Sequence, residues 1–76
     1  MQNIKTKEQL AFGKAIKEFR AENKISQEEL ASEANLDRTY MSGIERGVRN
    51  PSLLNIAKIA KALHIKISEL FKKVGL

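Results

Sequence analysis

Residues 26–46, SQEELASEANLDRTYMSGIER, constrain the fold more than any other stretch of this chain. They read as two short helices joined by a tight turn. Ser26 is a good N-cap, and Glu29, three residues on, completes a capping box ahead of the apolar Leu30 and Ala31. The second segment opens on Asp37, placed to cap the amide of Tyr40 or its neighbour. Between them the chain must turn within Asn35 and Leu36, and Asn tolerates the left-handed conformation better than any residue but Gly. Two helices at a steep angle across a short turn, the second polar on its outer face, form a helix-turn-helix. In that motif the second helix enters the DNA major groove.

On a wheel of about 100° per residue the second helix divides into two faces. Met41 and Ile44 point one way; Thr39, Ser42, Gly43 and Arg46 point the other, with Arg38 and Tyr40 flanking them at the N-terminal end. The outward face is small in its middle and basic at its ends. An interior glycine costs about 0.5–1 kcal/mol relative to Ala, so something must favour Gly43. Close approach to a DNA backbone or base edge is the favoured reason; the alternative is an ordinary solvated face that includes a glycine.

The remaining segments supply a helical scaffold. A first helix spans about Lys7 to Asn23, with Phe12, Ile16 and Phe19 as its core stripe and Lys14, Lys17 and Lys24 outside. Pro51 blocks continuation of the third helix, and Ser52 caps a fourth. Its expected buried face is Leu53, Ile56, Ala57, Ala60 and Leu63, with Asn55, Lys58 and Lys61 in water. A fifth helix spans about Ile67 to Val74, with Ile67, Leu70, Phe71 and Val74 on one stripe. Nothing suggests a strand or a repeat, so the expectation is an all-α fold of five helices.

Seventy-six residues make one domain, 1–76, with one small core. The chain has no cysteine and one histidine, which excludes a disulfide and argues against a zinc site; no metal or cofactor is expected. His64 reads as a helix-end residue. The segment MQNIKTKEQL has no apolar run fit for a signal peptide, and no stretch spans a membrane, so a cytoplasmic location is expected. A net charge of +5 and a pI near 9.8 suit a polyanionic partner. No nucleophile–base–orienter set is present, so the chain does not read as an enzyme. The carboxylates Glu28, Glu29 and Glu33 read as a solvated helix face.

Residues 12–71 resemble the lambda-repressor-like helix-turn-helix family, the Xre or Cro/cI type. The matching runs are FGKAIKEFRAENKISQEELA, NLDRTYMSGIERGVRNPSL and IAKIAKALHIKISELF, of which IERGVRNPS is the most specific to the family. Within it, LDRTYMSGIERGVRN is similar to the controller proteins of restriction–modification systems. Asn35 stands where the family often has Gly. His64 stands where Gly usually ends the fourth helix, and Lys66 replaces the usual Ser or Thr cap of the fifth. The resemblance implies a partly buried ion pair between Arg20 and Glu45, tying the first helix to the recognition helix.

Candidate DNA contacts follow from side-chain chemistry. Arg38 can pair bidentately with guanine O6 and N7, and Thr39 can meet a base edge or a thymine methyl. Ser42 suits a phosphate; Tyr40 suits a phosphate, a thymine methyl or half-buried packing. Gln27 can bond a phosphate beside the free amides of its helix. Arg46, Arg49 and Asn50 lie where backbone contact is expected; the resemblance extends Arg46 to a base, and Asn50 could equally shape the loop before Pro51.

The resulting expectation is a sequence-specific transcriptional regulator, a controller protein or small phage-type repressor, that binds a palindromic DNA operator as a homodimer. RNA polymerase is a further implied partner, and no small-molecule ligand is expected. The dimer surface is expected on the C-terminal helices, 52–74, drawing on Leu54, Ile65, Ile67, Leu70, Phe71 and Val74, with Ile67, Leu70 and Phe71 also closing the monomer core in part; the alternative is that all of these only close that core. The competing class is a protein-interaction module, an antitoxin or a coactivator.

Overall fold

The computed structural model describes residues 5–76. The first four residues of the segment screened for a signal peptide lie outside the described residues. Five helices follow in order: α1 (Lys7–Asn23), α2 (Gln27–Glu33), α3 (Arg38–Glu45), α4 (Leu53–Ala62) and α5 (Ile67–Val74), with no strand among the described residues. No helix in this part of the chain is long and apolar enough to cross a membrane.

Local chemistry sets where each helix starts. The Thr6, Ser26 and Ser52 hydroxyls accept the amides of Gln9, Glu29 and Asn55, while Asp37 Oδ2 accepts those of Thr39 at 2.9 Å and Tyr40 at 3.4 Å. The Ser26 amide donates back to Glu29 Oε1 at 2.8 Å, which completes the capping box of α2. Lys66 offers α5 no side-chain cap; instead Glu69 Oε1 accepts the Lys66 amide at 2.9 Å.

The first four helices also end alike. Each is followed by one residue at positive φ: Lys24 (56°), Asn35 (56°), Gly47 (81°) and His64 (60°). The residue after each then donates its amide back into the helix, as Ile25 to Arg20, Leu36 to Ala31, Val48 to Gly43 and Ile65 to Ala60. These are Schellman-type ends, and each closing residue is apolar. His64 thus occupies the left-handed position that a glycine would otherwise take.

Around the core, α1 packs on α3 and α5, α2 on α3 and α4, and α4 on α5. Ile16, Leu30, Met41, Ile44, Ile59 and Leu70 are fully buried at its centre. Gly13 permits the closest approach: a Cβ there would stand 2.5 Å from the carbonyl oxygens of both Ile44 and Glu45. The C-terminal turn of α3 therefore lies directly on the α1 backbone.

Burial departs from expectation at Leu53, Asn55 and Leu70. Leu53 is 72% exposed; of the rest of the expected face, Ala60 and Leu63 are buried and Ile56 and Ala57 half-buried, and Ile59 and Ala62 are buried as well. Leu53 is the first residue of α4, at the open end of the helix. Asn55 is half-buried, contrary to its expected place in water, because it reaches α3. Leu70, expected at a dimer surface, is completely buried in the monomer and closes the core between α1 and α4. Ile65 and Val74 are half-buried against the same core, whereas Leu54, Ile67 and Phe71 remain open to solvent. Phe71 keeps one side on Phe12, with ring centroids 5.8 Å apart.

Candidate nucleic-acid interface

The geometry of α3 is fixed from behind by a polar cluster. Arg20 Nε and Nη2 donate to Glu45 Oε2 and Oε1 at 2.8 and 2.9 Å, and Arg20 Nη1 donates to the Ile25 carbonyl at 3.1 Å. Gln27 Nε2 adds a bond to Glu45 Oε1 at 3.0 Å. One carboxylate on α3 thus holds α1 and the start of α2 together. Glu45 is only 4% exposed, and every buried side-chain polar atom among the described residues has a partner. The hydrogen bonds to Glu45 push the Arg20 guanidinium pKa above its ordinary value.

Gln27 is therefore not a free side chain waiting for a phosphate. Its amide is oriented by Glu45, and its second N–H has no bond among the described residues.

The outer face of α3 carries Arg38 and Thr39 exposed, Ser42 partly exposed and Tyr40 half-buried, with Arg46 exposed just past its end. Arg38 comes no nearer than 3.9 Å to Glu28, with both side chains in water, so the pair holds the guanidinium only weakly. Arg46 Nε donates to Ser42 Oγ at 3.3 Å, which lays the arginine along the helix. Arg49 and Asn50 are exposed in the loop that follows. The Arg49 guanidinium carbon sits 5.9 Å from the Tyr40 ring centroid. The Tyr40 hydroxyl accepts a bond from Asn55 Nδ2 at 3.1 Å, so Tyr40 both packs and faces outward.

Gly43 departs from the outward-face reading: it is buried, and the Arg49 side chain covers it. The space beside this glycine is taken by the Arg49 and Val48 side chains of the following loop. Asn55 is the residue that sequence reasoning missed. Its position on α4 gave it no visible role, because the partner lies 15 residues away on another helix. No group of acidic, histidine or cysteine side chains suited to a metal occurs among the described residues.

An exposed helix with three arginines beside it, braced by a buried ion pair, is the arrangement of a DNA-reading helix-turn-helix. The helix-turn-helix family profile matches residues 16–70. The chain belongs to this family of DNA-binding transcription regulators. Its relatives include control protein C.MunI of Mycoplasma sp, 47% identical over 66 residues, spanning 86% of this chain and 89% of that protein. The restriction–modification controller protein C.AhdI of Aeromonas hydrophila superposes with a TM-score of 0.81 at 49% identity, over 83% of this chain and 96% of that one. A second controller protein, C.Esp1396I, solved bound to a 19-base-pair DNA duplex, superposes at 0.82 with 37% identity, over 88% of this chain and 89% of its own.

Proposed function

We propose that this chain is a sequence-specific DNA-binding regulator of transcription that occupies a palindromic operator as a homodimer and serves as the controller of a restriction–modification system. The observation that carries the reading is the exposed arginine-bearing face of α3, held at a fixed angle by the Arg20–Glu45 pair. In this reading Arg38 and Thr39 contact bases, with Arg38 seeking guanine in the major groove. Gln27, Tyr40, Ser42, Arg46, Arg49 and Asn50 hold the phosphates that set the register. The protein is a cytoplasmic regulator and not an enzyme. The DNA-bound relative and the control-protein relatives favour this over a toxin-binding or coactivator role.

One recognition helix covers few base pairs, so useful affinity calls for two. A two-fold dimer sets its recognition helices about 34–36 Å apart and expects an inverted repeat. The exposed apolar side chains Leu54, Ile67 and Phe71 on α4 and α5 support a dimer surface there. Selection of bound duplexes from a random library tests the proposal. Enrichment of an inverted repeat supports it, and enrichment of no sequence contradicts it.

A further inference from the structure

The proposed DNA-facing surface includes a side chain that α3 does not carry. Arg49 lies in the loop, yet its stem returns along the helix. A Cβ built on Gly43 would stand 2.6 Å from Arg49 Cγ, 3.3 Å from Arg49 Nε and 3.4 Å from Val48 Cγ2. The arginine therefore occupies the volume that any other residue at position 43 would fill. Its guanidinium carbon comes to 5.9 Å from the Tyr40 ring centroid. That ring is held in turn by the bond from Asn55 Nδ2 to the Tyr40 hydroxyl at 3.1 Å. The loop backbone is tied down as well, with the Val48 amide donating to the Gly43 carbonyl at 2.9 Å. A free arginine loses much rotamer freedom when it binds a phosphate, and one already laid in a groove loses less.

We infer that Gly43 is a positioning residue: its missing side chain seats Arg49 along α3 and over Tyr40, making a loop arginine a fixed member of the DNA-facing surface. The inference rests on the DNA-binding reading of α3. It also accounts for a glycine inside an eight-residue helix, where Ala would favour helix formation.

Gly43→Ala tests this, because the methyl would meet side-chain atoms, Arg49 Cγ first, and not backbone, so that Arg49 must leave its place for the methyl to fit. The urea midpoint should fall only slightly. The Arg49 side-chain proton resonances should lie upfield in the wild type, under the Tyr40 ring, and return to ordinary arginine positions in Gly43→Ala. Affinity for a fluorescein-labelled duplex carrying the selected operator should drop about tenfold, as one charge-assisted contact is weakened. Arg49→Ala should lose as much, and Gly43→Ala added to Arg49→Ala should lose nothing more.

A further loss in that double variant would mean that the methyl meets DNA itself, and would overturn the inference. So would an unchanged affinity or unmoved Arg49 resonances in Gly43→Ala. If Gly43→Ala proves unstable, Asn55→Ala frees the Tyr40 ring without touching position 43. It should weaken binding several-fold in the wild type and by a smaller factor in Arg49→Ala, where only the contact of Tyr40 itself is left to lose. The Arg49 resonances are read without DNA, so a wild type with shifted resonances that binds no duplex would contradict the DNA-binding reading, and with it any role of the seat in binding.

Discussion

Arg20 on α1 and Glu45 at the end of α3 form a two-pronged ion pair, Nε to Oε2 at 2.8 Å and Nη2 to Oε1 at 2.9 Å. The carboxylate is almost wholly buried, while the guanidinium side chain keeps 20% of its exposure. Such a pair contributes little net stability compared with an apolar replacement, yet removing one member strands the other. Glu45→Ala should therefore cost about 3 kcal/mol, near the lower end for one-sided loss because water still reaches Arg20. Glu28→Ala, at an exposed site, should stay within about 0.5 kcal/mol of wild type. Urea unfolding compares the two, and equal midpoints would contradict the bracing role of Glu45.

Arg38 and Gln27 should separate specificity from affinity. Arg38→Ala should cost about 1–3 kcal/mol on the preferred site and relax base choice at one position. Its exposed, 3.9 Å approach to Glu28 gives little to lose in the free protein. Gln27→Ala should weaken preferred and random duplexes alike, since its spare N–H points to a phosphate role. Binding titrations on both duplexes check this. An unchanged preference in Arg38→Ala would remove its base-reading role.

The α2 capping box should give the protein an acid-sensitive increment of stability. The Glu29 carboxyl lies below its ordinary value of 4.5, first because the Ser26 backbone N–H bonds it and then because the Ser26 hydroxyl does. A carboxylate depressed in the folded state contributes stability above its unfolded pKa, and this is lost as pH falls through the folded value. Glu29→Gln keeps a bond to the Ser26 amide but does not titrate. Wild type should thus exceed Glu29→Gln in urea midpoint at pH 7, and the gap should narrow as pH falls below 4.5 through the lowered folded value. A gap that persists at low pH would show that the charge is not what stabilises the cap.

Leu54 and Leu70 should respond in opposite ways to substitution. Leu54 is 66% exposed, so Leu54→Glu should leave the urea midpoint of the monomer nearly unchanged while dissociating the dimer and weakening operator binding. Leu70 is fully buried, so Leu70→Ala should cost about 2–5 kcal/mol through lost contacts and a cavity. Sedimentation and unfolding together decide. An intact dimer in Leu54→Glu would move the interface elsewhere.

What could be read in the sequence was local. Ser26, Asp37 and Ser52 declare helix starts because the capping oxygen and the amide it accepts are two or three residues apart. Asn35 declares a turn for a similar reason. Lys24 and His64 declare nothing: each takes the left-handed conformation at a cost of about 1–2 kcal/mol, which the closing hydrogen bonds and the apolar Ile25 and Ile65 offset. A helical wheel finds a face but not how far its neighbours cover it, so it does not tell Leu53, open to solvent, from Leu70, sealed in the core. The Asn55–Tyr40 bond and the Arg49 seat on Gly43 depend on how a loop and a second helix fold back over α3, which no spacing in the sequence encodes.

In the proposed function α3, braced by Glu45, reads a two-fold symmetric DNA site. The most direct measurement is a gel shift of purified wild-type protein on a duplex carrying its selected inverted repeat, beside duplexes with one half-site scrambled and with both scrambled. The repeat should bind at least about a thousandfold more tightly than the fully scrambled duplex. Loss of one half-site should remove most of that advantage, because the second recognition helix then has no bases to read. Equal binding to all three duplexes would contradict the account.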